Sequence, residues 1–519
     1  MLDQSSIPTD QSQTEASSTG AKTAAERLSG ANKTPSEKLC VALDRVASNP
    51  NALPNLLDQL DRFWEIHWDE MLADLDRLVA IESVEDLAHA APGAPFGPGP
   101  AQALETFLTI ADRMGFTTKN VDGYAGIADM VGDSPVQVGI IGHVDVVPIG
   151  EGWTVDPLRV TVRDSFLLGR GTSDDKGPLL MSLYAAKFWM DKGRALSYTL
   201  RYIVGANEET GMRDVEQYRK IHGDPAVVFT PDDEFPACYG EKGQIQGAIT
   251  SPQLAGVIQD IQGGIAPNAV PGSASALVAV PAVRLKPADG IEIETRDGGT
   301  FVTARGVQAH AAMPESGTSA ILHLVAYLAA SGICSPAEQQ WLSCLETWLG
   351  DFSGMGLGIA SCDEAFGPLT AVGGMISMQN GRIRQTIDIR FTTASDPDVL
   401  EKTLVSLTQS AGGVWETTRL APVFLMNPES PFMQALISSY RAVTGDNQPA
   451  FTIGGGTYAR HFPCAAGFGA SVCGKAYPSW VGGMHAADEG VAIADLKNAF
   501  KVYAVAIDRL MALDLCGEL

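Results

Sequence analysis

The sequence predicts an α/β fold interrupted by an inserted domain of the α+β type. Three short apolar runs, at residues 136–141, 198–204 and 226–229, are each followed closely by acidic or histidine side chains. Such runs are typical of strands buried on both faces of a parallel sheet. Residues 177–192 have the length and apolar content of a helix between the first two strands. Residues 246–424 show a different pattern, of several predicted strands and a helix, which indicates the insertion.

Two further changes along the chain predict the remaining elements. Residues 1–50 are rich in Ser, Thr, Gln, Ala and charge, which predicts a disordered extension with a helical turn near 36–46. Apolar residues at helical spacing over 53–83 begin the globular fold, and a similar pattern at 492–513 ends it. Within the insertion we expect a helix at 318–330 and strands at 274–285, 291–295, 301–306 and 385–392.

These patterns divide the chain into four segments. The predicted layout is an extension at 1–50, a first domain in two parts at 51–245 and 425–519, and the inserted domain at 246–424. At 519 residues the chain is long enough for more than one domain. The first domain is therefore expected to close only when its distant carboxyl-terminal part returns to it.

Charge and composition limit the possible partners. The formal net charge is −25, from 61 acidic and 36 basic residues, which argues against nucleic acid because a phosphate backbone requires a basic surface. The amino terminus lacks the basic start and apolar stretch of a signal peptide, and no apolar run is long enough to span a bilayer. Eight dispersed cysteines without a C-x-x-C pair indicate reduced thiols. We therefore expect a cytoplasmic protein without a membrane partner.

The candidate chemical groups follow the predicted strands. In an open α/β sheet, sites form where loops leave the carboxyl ends of the strands. His143 and Asp145 follow the first strand, Glu208 and Glu209 the second, and Asp232 the third. Because residues i and i+2 share a face of an extended segment, Asp145 could accept the N–H of one ring nitrogen while the other binds a metal ion. Each pattern alone also fits a surface turn or a solvated acidic pair.

Two more candidates lie outside these strands. Asp174 follows a glycine-rich turn at the start of the predicted helix, where backbone N–H groups would keep its carboxylate ionised and able to bridge two cations. An ordinary acidic helix cap is the alternative interpretation. His485, far downstream, is flanked by small and acidic residues. No G-x-S-x-G, P-loop or H-E-x-x-H motif competes with this set, which predicts a metallohydrolase.

Six motifs in order carry a family resemblance over about residues 55–515. They are H-x-D, G-R-G-x-x-D-D-K-G-P, N-E-E-T-G, P-D-D-E-F-P with G-E-K-G, H-A-A-M-P-E-S-G and M-H-A-A-D-E. Together they resemble the di-zinc metallopeptidase family of carnosinases, aminoacylases and ArgE/DapE deacylases, and most of all its bacterial dipeptidases. The resemblance implies a zinc-peptidase (phosphorylase/hydrolase-like) catalytic domain with an α+β lid, the lid being the insertion.

The resemblance also implies a set of metal ligands. One metal ion would be held by His143, Asp174 and Asp232, and the other by Asp174, Glu209 and His485, so that Asp174 bridges them. The most expected ion is Zn²⁺, with Mn²⁺ or Co²⁺ as alternatives, because ligand sets of oxygen and nitrogen accept several ions.

Catalytic roles follow from the same resemblance. Glu208 would be the general base, Asp145 the partner of His143, and the Asp174–Asp175 peptide bond would be cis. His310, in the lid, would reach across the cleft to stabilise the tetrahedral intermediate.

Substrate contacts complete what the resemblance implies. Asn268 and Arg390 would hold the carboxylate of the substrate, and Gly455 would form a cleft wall where the backbone approaches it closely. One departure is Ser319, where many relatives have Asn, and it leaves the helix cap beside His310 open.

These residues predict a two-metal dipeptidase that cleaves small dipeptides with metal-activated water. An N-acyl amino acid deacylase of the desuccinylase or deacetylase type is the nearest alternative, because family likeness does not fix the substrate. A non-catalytic metal-binding protein and a structural protein with solvated acidic clusters are alternatives from other classes. The size of the lid favours a monomer.

Overall fold

The computed structural model of the protein describes residues 52–515. The predicted extension at 1–50, with its helical turn near 36–46, lies outside the described residues. The helices are α1 Ala52–Val79, α2 Pro98–Met114, α3 Lys176–Asp191, α4 Arg213–His222, α5 Ala320–Ala330, α6 Pro336–Trp348, α7 Pro397–Ser410, α8 Pro431–Thr444 and α9 Ile493–Leu510.

The strands fall into two large sheets and several short pairs. Up to the first crossing between the sheets they are β1 Thr117–Val121, β2 Ala125–Met130, β3 Ser134–His143, β4 Thr161–Arg163, β5 Phe166–Leu168, β6 Tyr198–Gly205, β7 Val227–Thr230, β8 Asp233–Phe235 and β9 Cys238–Glu241. Next come β10 Gly243–Thr250, β11 Ile258–Gly263, β12 Ala269–Val270, β13 Ser273–Val278, β14 Ile291–Arg296, β15 Gly299–Arg305, β16 Ala309–His310, β17 Cys362–Asp363, β18 Gly367–Pro368, β19 Thr370–Gln379, β20 Arg382–Phe391 and β21 Val414–Ala421. The last are β22 Phe424–Leu425, β23 Phe451–Ile453, β24 Ala465–Gly467, β25 Ala470–Val472 and β26 Gly490–Ala492.

The first sheet has nine strands and a mixed centre. Its order is β1-β2-β6-β3-β7-β24-β9-β22, and β23 also pairs with β9. Strands β3, β6 and β7 run parallel as neighbours, which is the arrangement that the three apolar runs predicted. Helices α3 and α9 pack against each other, with α1 on α3 and α8 on α9. Most of α3 is buried, because it lies between strand β3 and the helices α1 and α9. The predicted α/β class is confirmed.

The second sheet is antiparallel and has its own apolar core. Eight strands run in the order β14-β15-β13-β11-β19-β20-β10-β21. Helix α5 packs on β13 and β15, and α7 packs on β21. Their apolar faces meet in a core that includes Ile245, Ile321, Trp341 and Ile389. Helices on one face of an antiparallel sheet are the α+β arrangement expected for the lid.

The chain passes between the sheets at two neighbouring points. It leaves β9 and enters β10 through Lys242, and it returns between the end of β21 at Ala421 and β22. Strands β9 and β22 are antiparallel partners, with Glu241 opposite Phe424. The lid limits at 246 and 424 stay predictions, and the strands of the second sheet span Gly243 to Ala421.

Two predicted elements have different ends in the structure. The strand predicted at 274–285 ends at Val278, and Ala282–Arg284 form a short 3₁₀ helix instead. Pro281 explains the difference, because proline cannot donate to a sheet ladder. The helix predicted at 318–330 begins at Ala320, since Ser319 is its cap and accepts the N–H of Leu322 at 3.2 Å. The cap beside His310 is therefore present despite the departure from the family residue.

The structure bears on two further expectations, which concern membrane-spanning helices and the state of the cysteines. Within residues 52–515, no helix has both the length and the apolar character that crossing a membrane requires. The six cysteines in the same range are all free thiols.

Candidate metal centre

The candidate ligands gather at one edge of the first sheet. His143 is the last residue of β3 and is fully buried, opposite Gly205 at the end of β6. Asp232 follows β7, and Glu209 follows β6. Because β3, β6 and β7 are parallel neighbours, their carboxyl ends bring these three side chains together.

Two groups of ligand atoms share one carboxylate. His143 Nε2 lies 3.0 Å from Asp174 Oδ1 and 3.6 Å from Asp232 Oδ2. His485 Nε2 lies 3.0 Å from Asp174 Oδ2 and 3.1 Å from Glu209 Oε2. In each group of three residues the ligand atoms all lie within 4.8 Å of one another. Asp174 thus offers one oxygen to each group, as a bridging ligand must.

The chemistry of this donor set fits two divalent cations. Burial and the charge of Asp232 raise the pKa of Glu208 well above its ordinary value, and burial and Asp174 raise the pKa of Glu209 to about 7. Burial and Asp174 also raise the pKa of Asp232. Carboxylates crowded away from water in this way need cations to remain ionised together. Imidazole and carboxylate ligands suit zinc, manganese or cobalt.

Asp145 contacts both a ligand and the turn that carries the candidate base. His143 Nδ1 is 2.9 Å from the carbonyl oxygen of Asp145 and 3.5 Å from its carboxylate. The carboxylate accepts the backbone N–H of Glu208 at 3.1 Å and of Glu209 at 3.2 Å. The ring is therefore oriented mainly by the carbonyl group, whereas the predicted orienting carboxylate mainly fixes the turn after β6.

A second carboxylate, which the sequence analysis missed, holds the same turn. Asp214 Oδ2 accepts the backbone N–H groups of Ala206 and Asn207, each at 2.7 Å, and the hydroxyl of the buried Tyr458. Asp214 and Asp145 together accept the backbone N–H groups of the four consecutive residues 206–209, which include the candidate base Glu208. The only sequence signal of Asp214 is an acidic residue in the first turn of α4, close to N-E-E-T-G.

Glu489, also missed, performs the same task for Asp174. Its Oε1 accepts the N–H groups of Gly171 at 3.0 Å and Asp174 at 3.2 Å, and its Oε2 accepts from Arg170 Nη1 at 2.5 Å. Glu489 is fully buried. Since it follows His485 closely in M-H-A-A-D-E, one segment supplies a ligand to the site and a support to the bridging residue.

The backbone has special conformations at two ligands. The Asp174–Asp175 peptide bond is cis, as the resemblance implies. His485 has a φ of 64°, in the left-handed region that non-glycine residues rarely occupy. Such a conformation persists only when its surroundings determine it, and it is common at functional sites.

The lid brings His310 and Asn268 together. His310 is on β16, opposite Ala269 of β12, and the carbonyl of Asn268 accepts the N–H of Ala311 at 3.0 Å. His310 Nδ1 accepts the N–H of Ala312 at 3.1 Å, which leaves Nε2 as the ring donor. Desolvation and the charge of Arg390 lower the pKa of His310, and the charge of His485 acts in the same direction. The ring is therefore neutral at neutral pH.

Arg390 joins the lid to the glycine segment 454–456. It forms a two-pronged ion pair with the buried Asp388, from Nε to Oδ1 at 2.6 Å and from Nη2 to Oδ2 at 3.3 Å. Its Nη1 donates to the carbonyl of Gly454 at 3.1 Å. Arg390 thus lies where the lid meets the predicted wall of the cleft.

The three glycines of this segment face different surroundings. A Cβ at Gly454 would lie 2.9 Å from the Cβ of Ala312 in the lid, and one at Gly456 would overlap the guanidinium of Arg460. At Gly455 it would meet only Ile453, at 3.8 Å. Gly455 therefore borders open space, where a substrate could lie without disturbing the protein.

Comparison with known proteins places these features in a family. Residues 139–509 match peptidase family M20/M25/M40. A putative dipeptidase of Bacillus subtilis (strain 168), YtjP, is 30% identical over 469 residues, which cover 86% of this chain and 99% of that protein. The beta-Ala-Xaa dipeptidase of Lactobacillus delbrueckii subsp. lactis is 32% identical over 459 residues, covering 85% and 96%.

Solved structures extend the comparison to the fold. Human carnosine dipeptidase 1 aligns with a TM-score of 0.55 at 17% identity, over 88% of this chain and 99% of that one. The di-peptidase Dug1p of Saccharomyces cerevisiae aligns with a TM-score of 0.55 at 13% identity, over 89% and 99%. At such identities the likeness concerns the fold, and it extends over both sheets.

Proposed function

The chain belongs to peptidase family M20/M25/M40, and on that premise we propose that it is a dipeptidase that uses two divalent metal ions. The observation that carries the proposal is the pair of three-residue groups that share Asp174, with Glu208 left over beside them. The relatives named dipeptidases are matched over nearly their whole length, so the likeness includes the lid as well as the metal centre.

In this proposal five residues hold the metal ions. His143, Asp174 and Asp232 form one site, and Asp174, Glu209 and His485 form the other. Zn²⁺ is the ion we expect, and Mn²⁺ and Co²⁺ are alternatives. Two such ions would polarise the scissile carbonyl and increase the acidity of water.

Glu208 is the proposed general base. It would take a proton from the attacking water and pass it to the leaving amine, which suits a carboxylate with a raised pKa. Its side chain makes no hydrogen bond or ion pair with residues 52–515, while Asp145 holds its backbone N–H. The backbone of Glu208 is therefore held in place, while its carboxylate remains available to take a proton from water.

The lid is proposed to complete the site. His310 would donate from Nε2 to the oxygen of the tetrahedral intermediate. Asn268, Arg390 and Gly455 would surround the carboxyl end of the dipeptide, and closure of the lid would exclude water. His310 is on β16, and Asn268 directly precedes its partner strand β12. Arg390 and the glycine segment 454–456 meet where the lid contacts the first sheet's domain.

The decisive experiment offers dipeptides and N-acyl amino acids to the full chain, before and after chelation. We expect dipeptide hydrolysis that chelation abolishes and divalent metal restores, and none in the Glu208→Ala variant. Faster cleavage of N-acetyl or N-succinyl amino acids would favour the deacylase alternative. Two equivalents of bound metal without hydrolysis of either class would favour the non-catalytic alternative, and no bound metal would favour a structural protein.

A monomeric state and a cytoplasmic location are further proposals, which rest on the sequence. Light scattering of the purified protein and fractionation of cells test them.

A further inference from the structure

Three arginines approach one another beside the candidate base. Arg390 is on β20 and Arg419 on β21 of the lid, while Arg460 follows the glycine segment 454–456. Desolvation lowers the pKa of Arg419, and the charges of Arg460 and Arg390 lower it further. The charges of Glu208 and Asp388 oppose this effect. Arg419 therefore lies within electrostatic reach of both the other arginines and the base.

Two of the three arginines already have partners of opposite charge. Arg390 is paired with the buried Asp388. Arg460 is paired with the buried Glu241, from Nε to Oε2 at 2.7 Å, and its Nη2 donates to the carbonyl of Gly455 at 2.9 Å. The side chain of Arg419, by contrast, has neither a hydrogen bond nor an ion pair within the described part of the chain. One guanidinium of the cluster therefore has no directly paired carboxylate.

A β-bulge in the edge strand β21 determines which face Arg419 occupies. Gly247 is opposite Thr417, but Gln246 is opposite Arg419, so Thr418 is the extra residue of the bulge. Without it Arg419 would be opposite Ile245, which belongs to the apolar core of the lid. A bulge re-aims the side chains that follow it, and here it turns Arg419 away from the core.

The face that Arg419 occupies is the one that meets the cleft. Gln246 lies opposite Arg419 on one side and opposite Asp388 on the other, and directly opposed residues point to the same face of a sheet. Gln246 donates to Asp388 at 2.6 Å. Arg390, two residues further along β20, shares that face and reaches the carbonyl of Gly454 in the first sheet's domain.

Lys242 is the other cation close to Arg390, and its charge is balanced elsewhere. Its Nζ donates to the carbonyl of Pro368 at 2.5 Å. The acidic groups that act most strongly on it are Asp363 and Glu315, whereas those that act most strongly on Arg419 are Glu208 and Asp388. Arg419 thus remains the unpaired cation of the arginine cluster.

We propose that Arg419 supplies the net positive charge that binds the terminal carboxylate of the substrate, whereas Arg390, neutralised by Asp388, contributes hydrogen bonds and holds the glycine segment. The inference rests on the proposed function and assigns the charge to a residue outside the motif set. A guanidinium can bind a carboxylate through two parallel hydrogen bonds, which a flexible ammonium group cannot reproduce fully.

The test compares a dipeptide with the same dipeptide amidated at its carboxyl end. We expect the wild-type protein to prefer the free carboxylate. Arg419→Gln should lower kcat/KM on the dipeptide by about 10- to 100-fold, mainly through KM, and should affect the amide far less. Arg419→Lys, which keeps the charge, should recover part of the preference.

Arg384→Gln is the matched control. Arg384 is an exposed arginine on the same strand and face as Arg390, but near the opposite end of that strand, where it lies opposite Thr250. We expect it to leave both substrates unaffected. Because the side chain of Arg419 is exposed and makes no hydrogen bond or ion pair within the described residues, the melting temperature of Arg419→Gln should equal that of the wild type.

Several results would overturn the inference. The assignment of the charge to Arg419 fails if Arg419→Gln loses kcat/KM equally on dipeptide and amide, or on neither. It also fails if Arg419→Lys recovers none of the preference for the free carboxylate. If the wild type cleaves N-acyl amino acids instead, the proposed dipeptidase fails, but the same comparison of acid and amide still tests Arg419. A protein that cleaves neither class would overturn both.

Discussion

The metal centre and the lid differ in how completely their polar groups are satisfied. In the first sheet's domain, Asp145, Asp214 and Glu489 accept backbone N–H groups on the turns that carry the candidate ligands and the proposed base. In the lid, His310 lies on a two-residue strand and its ring accepts one hydrogen bond from its own turn, while the side chain of Arg419 has no hydrogen-bond or ion-pair partner within residues 52–515. In the first region the turns that carry the candidate residues are fixed before substrate arrives, whereas the lid offers unpaired side chains to it.

This difference has a physical basis in burial. The ligands of a metal centre must be preorganised, because each error in position weakens binding of the ion. Substrate-binding groups on an exposed surface can wait unpaired at little cost, since water solvates them until they are used. Damage to the supports of the first region should therefore lower kcat, and damage to the lid surface should act mainly through KM.

The largest expected effect separates two adjacent glutamates. Glu208→Gln should lower kcat by about 10³-fold while both metal ions remain bound, because it removes the base but no ligand. Glu209→Gln should lose about one equivalent of metal. Measurement of the metal content and of kcat in both variants tests this prediction. Full activity of Glu208→Gln would remove it from the mechanism.

His310→Ala tests the one lid residue expected to act on kcat. We expect a loss of about 10²- to 10³-fold with unchanged metal content, because an intermediate-stabilising donor is worth a few kcal/mol. His323→Ala is the control, since His323 is on lid helix α5 and its ring makes its one hydrogen bond within residues 52–515 to the carbonyl of Arg305. A KM effect alone would reassign His310 to substrate binding.

Tyr458→Phe tests the support behind the base. Removal of its hydroxyl from Asp214 should lower kcat by about tenfold and stability by about 1 kcal/mol. Tyr440→Phe removes a similar hydrogen bond, to Asp446 at 2.8 Å, away from the site. It should lower the free energy of unfolding by a similar amount and leave kcat intact. Equal kcat in the two variants would show that Tyr458 is only structural.

Gly455→Ala should have the smallest and most selective effect. Its methyl group meets nothing closer than Ile453 at 3.8 Å, so the melting temperature should not change, while KM should rise several-fold if substrate passes there. Gly454→Ala, which would press on Ala312, should lower stability as well. Unchanged KM in Gly455→Ala would exclude this glycine from the substrate path.

The sequence predicted best what depends on local pattern and on order along the chain. The strands before His143, Glu208 and Asp232, and the helix after Asp174, differ from the structure by only a few residues at their ends. The motif M-H-A-A-D-E also indicated that the segment around His485 belongs to the first domain. Long apolar runs and short motifs carry this information because burial and ligand chemistry restrict residue type.

The supports could not be predicted, because each depends on a contact between distant segments. Asp214 and Tyr458 meet only in the folded chain, and each alone is an ordinary polar residue. Arg419 was missed because its face depends on a bulge, which shifts the alternation of a strand by one residue. Asp145 was placed at the site, but the sequence could not show that its carboxylate would be used on the turn after β6.

The pairing of β9 with β22 gives the lid the topology of an oversized hairpin loop. Its entry and exit strands are hydrogen-bonded neighbours, so the second sheet could be excised and replaced by a short turn without separating the strands of the first. Insertions at such positions are tolerated, because the host requires only that two nearby ends be joined. In the proposed function, ion binding belongs to the first sheet and most substrate contacts to the lid, so lids of different specificity could be exchanged on one host domain.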